Sequence, residues 1–358
     1  MELYAIVLAG GIGTRFWPLS RRERPKQFLP IISEKTMIEE TVERLVSLIP
    51  LERVYTIANR ELSRSIRRIF PDIPDTNVLI EPLGRNTAPS LILATAQIYL
   101  RNANAVVAAL PADHLISDVP LFLKKLEAGA QAAEKREDLV TFGIPPSFPS
   151  TGYGYIQFSR KDSQKIADEN FYSVLEFKEK PELDQARSFL EAGNYFWNSG
   201  MFLWKAEGFA HKLQQYAPEW YIYYERMLES LENNDASRIA SLFETIPSTS
   251  IDYALMEKAK GVLMCEGNFG WSDVGAWSSL FDIWPKDPKG NALRTESLLL
   301  ESENCLVYSR EKLTALVGVK DLIVVDTPDA LLICRKDQDQ RVKDIVARLK
   351  KDNKDEYI

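Results

Sequence analysis

Apolar residues along the first hundred positions recur at two alternating periods. Leu3–Ala9 is a continuous apolar run ending in Gly10-Gly11, as a strand buried on both faces would be. Between Thr36 and Ile49 the spacing becomes helical: Met37, Ile38, Val42, Leu45, Val46 and Ile49 share one face, and Glu39, Glu40, Glu43 and Arg44 the other. Arg53–Ala58 predicts a strand, Glu61–Ile69 a helix and Val78–Ile80 a strand. Thr87–Arg101 then predicts a long helix and Ala105–Leu110 another strand. Repeated strand–helix–strand units imply an α/β fold with a Rossmann-like mixed, mostly parallel sheet flanked by helices.

From Gly152 to about Leu203 strands return with alternating aromatics, and Lys205–Phe243 is helical with a break near Pro218. Pro285–Gly290 (PKDPKG) is a polar, breaker-rich linker, which divides the chain into a domain at 1–288 and a smaller one at 289–358. Five short strand-like pieces follow: Ser297–Leu300, Cys305–Ser309, Thr314–Val317, Leu322–Asp326 and Ala330–Cys334. A terminal helix is expected within Gln338–Lys350, where Val342, Ile345, Val346 and Leu349 share a face. Such short strands bury little alone, so this β-rich, short β-helix-like domain is expected to fold against the first domain or a second subunit.

Composition narrows the function. With 45% hydrophobic and 27% charged residues the 358-residue chain is of globular type. No apolar run approaches the ~18 residues of a membrane span. The N-terminus, Glu2 before Tyr4–Ala9, lacks a basic leader, so a cytoplasmic protein without a membrane partner is expected. Cys265, Cys305 and Cys334 show no ligand spacing and read as reduced, mostly buried thiols. Two histidines, His114 and His211, cannot make a multi-histidine metal site. A net charge of −7 argues against nucleic-acid binding. Against that background Arg15, Arg21, Arg22, Arg24 and Lys26 stand together, opposed only by Glu23. They read either as a solvated basic loop or as a site for a small polyanion, and the residues just before them favour the polyanion.

The first strand runs into Gly10-Gly11-Ile12-Gly13-Thr14-Arg15. Glycines let backbone N–H groups converge on phosphate oxygens, although a plain turn needs them too. Phe16 stands where a dinucleotide fingerprint needs its third glycine, and no Gly-Lys-Ser/Thr follows. Arg15 and Lys26 flank the loop, and two fixed cations suit the departure of pyrophosphate, on which negative charge builds. Asp113 follows a strand at the edge where open α/β sheets bind ligands, but a turn cap is also a common role there. Glu81 likewise ends a strand, before the turn Pro82–Thr87. Asn86 or Thr87 can cap the helix that follows.

Gly10–Phe28, GGIGTRFWPLSRRERPKQF, closely resembles the signature of sugar-1-phosphate nucleotidyltransferases, and its WPLS and PKQF portions the mannose-1-phosphate guanylyltransferase branch. The likeness continues in order through EPLGRNTAP (81–89), PADH (111–114), TGYGYIQ (151–157), EKP (179–181), NSGMFLW (198–204), SIDYALMEK (250–258) and GWSDVGAW (270–277). Ile12 departs from it, since that branch carries a small polar residue there. The resemblance implies the nucleotidyltransferase fold and transfer of GMP from GTP to mannose 1-phosphate, giving GDP-mannose and pyrophosphate. It assigns Leu8, Ala9, Gly10, Gly11, Gly13, Thr14, Glu81, Arg85, Asn86 and Thr87 to the nucleotide. Gly152, Glu179, Lys180 and Asn198 fall to the sugar phosphate, and Asp113 and Asp273 to Mg²⁺. Arg15, Lys26 and Asp113 are the implied catalytic residues. A sugar phosphate is already an anionic nucleophile, so His114 is expected to be structural rather than a base. A homodimer is expected. Since longer relatives add a phosphomannose isomerase domain, a single activity is expected of this chain. The alternatives are the same fold with another nucleotide and sugar phosphate, or a catalytically silent nucleotide-binding regulatory subunit.

Overall fold

The computed structural model describes residues 1–136 and 138–358. Its first stretch follows the predicted alternation: β1 (Leu3–Leu8), α1 (Met37–Leu45), β2 (Val54–Ala58), α2 (Arg60–Ile69), β3 (Val78–Ile80), α3 (Thr87–Arg101) and β4 (Val106–Pro111). Next come β5 (Leu115–Ile116), α4 (Val119–Arg136), β6 (Leu139–Ile144), β7 (Tyr155–Ile166), β8 (Glu169–Lys178), α5 (Leu183–Ala192) and β9 (Tyr195–Lys205). The helices α6 (Ala206–Tyr216), α7 (Pro218–Glu232) and α8 (Ala236–Thr245) precede β10 (Val262–Glu266), β11 (Trp271–Ser272) and α9 (Trp277–Ile283). The last part holds β12 (Ala292–Arg294), β13 (Ser297–Leu300), β14 (Leu306–Tyr308), β15 (Thr314–Val317), β16 (Leu322–Asp326), β17 (Leu331–Arg335) and α10 (Val342–Lys351).

These elements form two compact units that interleave in sequence: Met1–Gly10, Val42–Ala112 and Ile116–Trp271 make one, and Gly11–Thr41, Asp113–Leu115 and Ser272–Ile358 the other. The first unit is built on a nine-stranded mixed sheet of order β3-β2-β1-β4-β9-β6-β10-β8-β7. β1 lies parallel to β2 and β4, while β9 runs antiparallel between β4 and β6. α3 is apolar on nearly every side because it packs against both β1 and α7. Leu8 pairs with Pro111, and the Ala112 N–H donates to the Leu8 carbonyl at 3.0 Å, so β1 and β4 end level. Glu81 leaves β3 at the same edge, its N–H on the Ala58 carbonyl at 2.8 Å.

The second unit answers the question left by the five short strands. β12, β14 and β16 stack in parallel, β13 pairs with β15, and β17 closes on β16 antiparallel. Their inner residues Leu306, Ile323 and Val325 share one core with Phe16, Trp17, Leu29 and Ile31, and with Trp277, Val342, Val346 and Ile358. Three indole N–H groups pin it: Trp17 to the Tyr357 carbonyl (2.8 Å), Trp277 to that of Trp17 (3.2 Å) and Trp284 to that of Ile31 (2.8 Å). Such partners matter because an unpaired N–H away from water costs ~1–3 kcal/mol. Cys265 and Cys305 are buried and Cys334 half-buried, all three free. Burial pushes the Cys265 thiol up to about 12, so it is unreactive at neutral pH.

Candidate active site

The glycine turn belongs to the second unit from Gly11 onward. Gly13 has φ +69°, and a Cβ there would lie 2.4 Å from the Cβ of Lys26. A glycine is therefore required both by the backbone and by the close approach of the lysine. Gln27 Nε2 donates to the Gly11 carbonyl at 3.0 Å, tying the two ends of the loop together. Thr14 opens a single 3-10 turn, and the Trp17 N–H returns to the Thr14 carbonyl at 3.2 Å. Arg15, next to it, has its Nε buried without a hydrogen-bond partner among the described residues. A buried guanidinium N–H of this kind can donate to an anion.

Lys26 is itself buried, and its ammonium donates to Asp113 Oδ2 at 2.9 Å and to the Asp273 carbonyl at 2.5 Å. One cation thus gathers two segments lying 87 and 247 positions away. Burial pushes the Asp113 carboxyl up, yet the Lys26 charge, His114 and the lysine hydrogen bond together outweigh it and hold the group below its ordinary range. After Asp273 the buried Val274 takes φ +45°, a left-handed conformation that costs a β-branched residue ~1–3 kcal/mol. Gly275 follows, where a Cβ would lie 2.7 Å from Asp273 Oδ2. The turn is thus shaped around the carboxylate.

The basic cluster read from the sequence does not act as one group. Arg21 Nη2 clasps both Asp329 oxygens at 2.9 and 3.0 Å, and its Nη1 donates to the Tyr357 carbonyl. Arg22 lies 3.9 Å from Asp355. These two fasten the loop to the C-terminal residues of its own unit. Arg15, with its buried Nε, and Lys26, bonded to Asp113, lie outside that fastening.

In the first unit, Leu8 and Ala9 spend main-chain groups inside the sheet, the Ala9 N–H on the Ile57 carbonyl at 3.0 Å and the Leu8 carbonyl on Ala112. Glu81 is buried; its Oε1 accepts from the Arg85 N–H (3.2 Å) and from Ser90 Oγ (3.0 Å). Its Oε2 faces Gly10, where a Cβ would come within 3.3 Å. Burial raises its pKa, and the two hydrogen bonds offset only part of that. Arg85 donates Nε and Nη2 to the Phe243 and Glu244 carbonyls (2.9 and 2.7 Å), closing the C-terminus of α8. Asn86 Oδ1 caps α3 through the Thr87 N–H at 2.8 Å, and Thr87 Oγ1 accepts from the Ile251 N–H at 2.9 Å. Arg85 and Thr87 are thus held by the protein, which explains their presence without a ligand.

The expected sugar-phosphate residues also lie in this unit; Gly152 among them is exposed, with its N–H on Ser150 Oγ (3.1 Å). A Cβ on Gly154 would lie 2.3 Å from Glu179 Oε2, and the Asn198 N–H donates to the Gly154 carbonyl at 2.8 Å. Lys180, at φ +44° with an exposed side chain, pairs with Glu179 Oε1 at 2.5 Å. Asn198 Nδ2 donates to Asp252 Oδ1 at 2.6 Å. Asp252 opens a π-helical turn, Asp252–Met256, and burial and the Glu179 charge raise its pKa. It sits within the SIDYALMEK motif, where neither residue type nor spacing distinguishes it from its neighbours. A π-turn and a buried carboxylate mark such positions only in three dimensions.

Among the described residues no three His, Cys, Asp or Glu side chains converge on a metal position. Asp113 and Asp273 nonetheless fit Mg²⁺, which takes one or two carboxylates and leaves its other positions to substrate phosphates and water.

A glycine turn and a buried lysine that joins the Asp113 carboxylate to the Asp273 main chain, in a chain that also carries a mixed sheet, are parts that a phosphoryl-transfer protein uses. The family model described as nucleotidyl transferase matches residues 4–290, and the chain belongs to that family. Residues 295–349 match the mannose-P isomerase/GMP-like β-helix domain. A mannose-1-phosphate guanylyltransferase from Escherichia coli is 37% identical over 360 residues, covering 97% of this chain and 75% of that one. The alginate biosynthesis protein AlgA of Pseudomonas aeruginosa is 39% identical over 348 residues, covering 96% and 71%. A crystal structure described as a mannose-1-phosphate geranyltransferase from Thermus thermophilus superposes with a TM-score of 0.87 at 34% identity, over 98% of this chain and 100% of that one.

Proposed function

We propose that the protein transfers GMP from GTP to mannose 1-phosphate, releasing pyrophosphate and GDP-mannose. The observation that carries the reading is the Lys26 ammonium held between the Asp113 carboxylate and the Asp273 backbone, beside a glycine turn whose Arg15 has an open, buried N–H. Named guanylyltransferases at this level of identity supply the substrates.

A phosphate oxygen of mannose 1-phosphate attacks the α-phosphorus of GTP; the new P–O bond forms as the bond to the β-phosphate oxygen breaks, and pyrophosphate leaves with that electron pair. No base is required. The main chain of Gly10–Thr14 and the Arg15 guanidinium receive the triphosphate and neutralise the departing group. Glu81, with Oε2 still open toward Gly10, accepts from the guanine N1 and N2 donors, and Asn86 and Thr87 hold that loop in place. Glu179, Asn198 and Asp252 take sugar hydroxyls, and exposed Lys180 neutralises the sugar's phosphate. Asp113 and Asp273 would hold Mg²⁺, which when bound neutralises phosphate charge. Lys26 keeps those two segments together.

Pyrophosphate release measured across five nucleoside triphosphates and a set of hexose 1-phosphates tests the reading. GTP with mannose 1-phosphate should be fastest; equal turnover with UTP, dTTP, ATP or CTP refutes the base assignment, and GTP binding without any turnover identifies a silent regulatory subunit. Asp113→Ala should lower kcat by about 10² or more; near-normal kcat would remove Asp113 from the metal site.

Leu298, Leu300 and Val317 are exposed on the paired strands β13 and β15, and Leu331 and Ile333 on β17. A second copy of the chain is the proposed cover for them. No helix among the described residues is long and apolar enough to cross a membrane. The reading places the enzyme in the cytoplasm, with its GTP.

A further inference from the structure

The second unit contains a pocket of about 350 Å³ that the reaction above does not use. One wall comes from the loop after Gly13, through Pro18, Leu19, Arg21 and Arg24; the other comes from the turns that follow β14 and β16. Most of its charges cancel in pairs. Lys312 bonds Asp326 at 2.8 Å, and Arg21 bonds Asp329 at 2.9 Å. What remains is Arg24 and Arg310 against the single carboxylate of Glu311.

Neither of those arginines has an ion-pair partner among the described residues, and Arg310 spends only its Nε, on the Tyr308 hydroxyl at 2.8 Å. Burial and the facing charge of Arg310 both push the Arg24 pKa down. Two like charges facing each other from opposite walls of a pocket repel, and an anion between them reverses the sign of the interaction. Guanidinium forks match phosphate oxygens bidentately, which a solvated lysine pair would not do. The prolines and Leu19 supply apolar surface for whatever else the anion carries.

We propose that this pocket is a second, regulatory site for an anion bearing a diphosphate group, held by Arg24 and Arg310. Free pyrophosphate and a nucleoside-diphosphate sugar both carry that group. The regulatory part rests on the proposed reaction; the binding part does not. Pro18, Leu19, Arg21 and Arg24 all lie between Gly13 and Lys26, so an occupant grips the same loop that presents Arg15 and Lys26. Two sites on one short segment are coupled whenever either ligand restricts it.

Calorimetric titration of the full chain with inorganic pyrophosphate, and separately with GDP-mannose, tests the site in wild type and in Arg310→Ala. Wild type should bind two equivalents of at least one of them and the variant one, with initial turnover within about twofold of wild type because Arg310 lies outside the catalytic machinery. Arg310→Lys should weaken the second site roughly tenfold, since it keeps the charge and loses the fork. Response to pyrophosphate shows that the diphosphate suffices; response to GDP-mannose alone shows that the sugar nucleotide is the effector. Product inhibition should lose in Arg310→Ala the component that saturating GTP does not overcome. Equal stoichiometry and affinity in both proteins overturns the proposal while leaving the guanylyl transfer intact. Arg310-dependent pyrophosphate binding in a chain that turns over no substrate would sustain the site and refute the reaction.

Discussion

Glu81 is a carboxylate held where its charge is unwelcome. Its folded pKa is raised by burial, so the native state holds the proton more tightly than the unfolded chain does. The resulting stability is complete below the unfolded value of about 4.3 and is lost as pH rises through the raised folded value. Glu81→Gln should therefore raise Tm at pH 7 and leave it nearly unchanged below about pH 4, while increasing KM for GTP. A Tm difference independent of pH would show that burial is not what distinguishes this group. Gly13 is constrained from the opposite side. Gly13→Ala places a methyl 2.4 Å from the Lys26 Cβ in a backbone conformation that alanine disfavours. Displacing the lysine by that much should cost about 10² in kcat/KM, and an unaffected rate would separate the glycine from the lysine's position. Both residues were legible in the sequence as chemistry. Asp252 was not, because its meaning lies in a hydrogen bond to Asn198, 54 positions away.

Among elements, α3 is the one whose start touches the candidate base site. Asn86 adopts φ 67° and ψ −169°, a region open almost only to glycine, while its side chain caps the helix. Asn86→Gly should be nearly neutral, because glycine relieves the backbone as it removes the cap. Asn86→Ala loses the cap and keeps the strain, so it should cost the cap alone, about 0.5–2 kcal/mol. Urea titrations of the two variants decide it, and alanine as stable as glycine would contradict the strain argument. The bounds of α3 were readable from its period and its capping residues. The run from α4 through β6, and later β10, was not. β6 and β10 are short, apolar strands that pair with each other from more than a hundred residues apart, and short apolar runs carry no period that tells strand from buried helix.

For the whole molecule, sequence composition marked a break at Pro285–Gly290, and the two family models also meet there, at residues 290 and 295. The packed cores divide differently, because Phe16, Trp17, Leu29 and Ile31 share a core with the C-terminal strands and α10. Linear composition does not reveal that a glycine-rich loop and a distant helix are neighbours. Deleting Val342–Ile358 removes Val342, Val346 and Ile358 from that core, together with the Tyr357 carbonyl that holds Trp17 and Arg21. Turnover should fall at least tenfold and Trp17 emission should shift red, as loss of a buried anchor beneath a positioned loop requires. Unchanged turnover would detach the tail from the loop.

The same shared core governs how such chains can be recombined. A chimera spliced at residue 290 with another protein's β-helix would inherit foreign side chains beneath its own Trp17 and Phe16, and catalysis would suffer although every reactive group was native. Successful hybrids should need the 11–41 stretch exchanged together with the donor's tail, so that the two interlocking pieces travel as one inheritance.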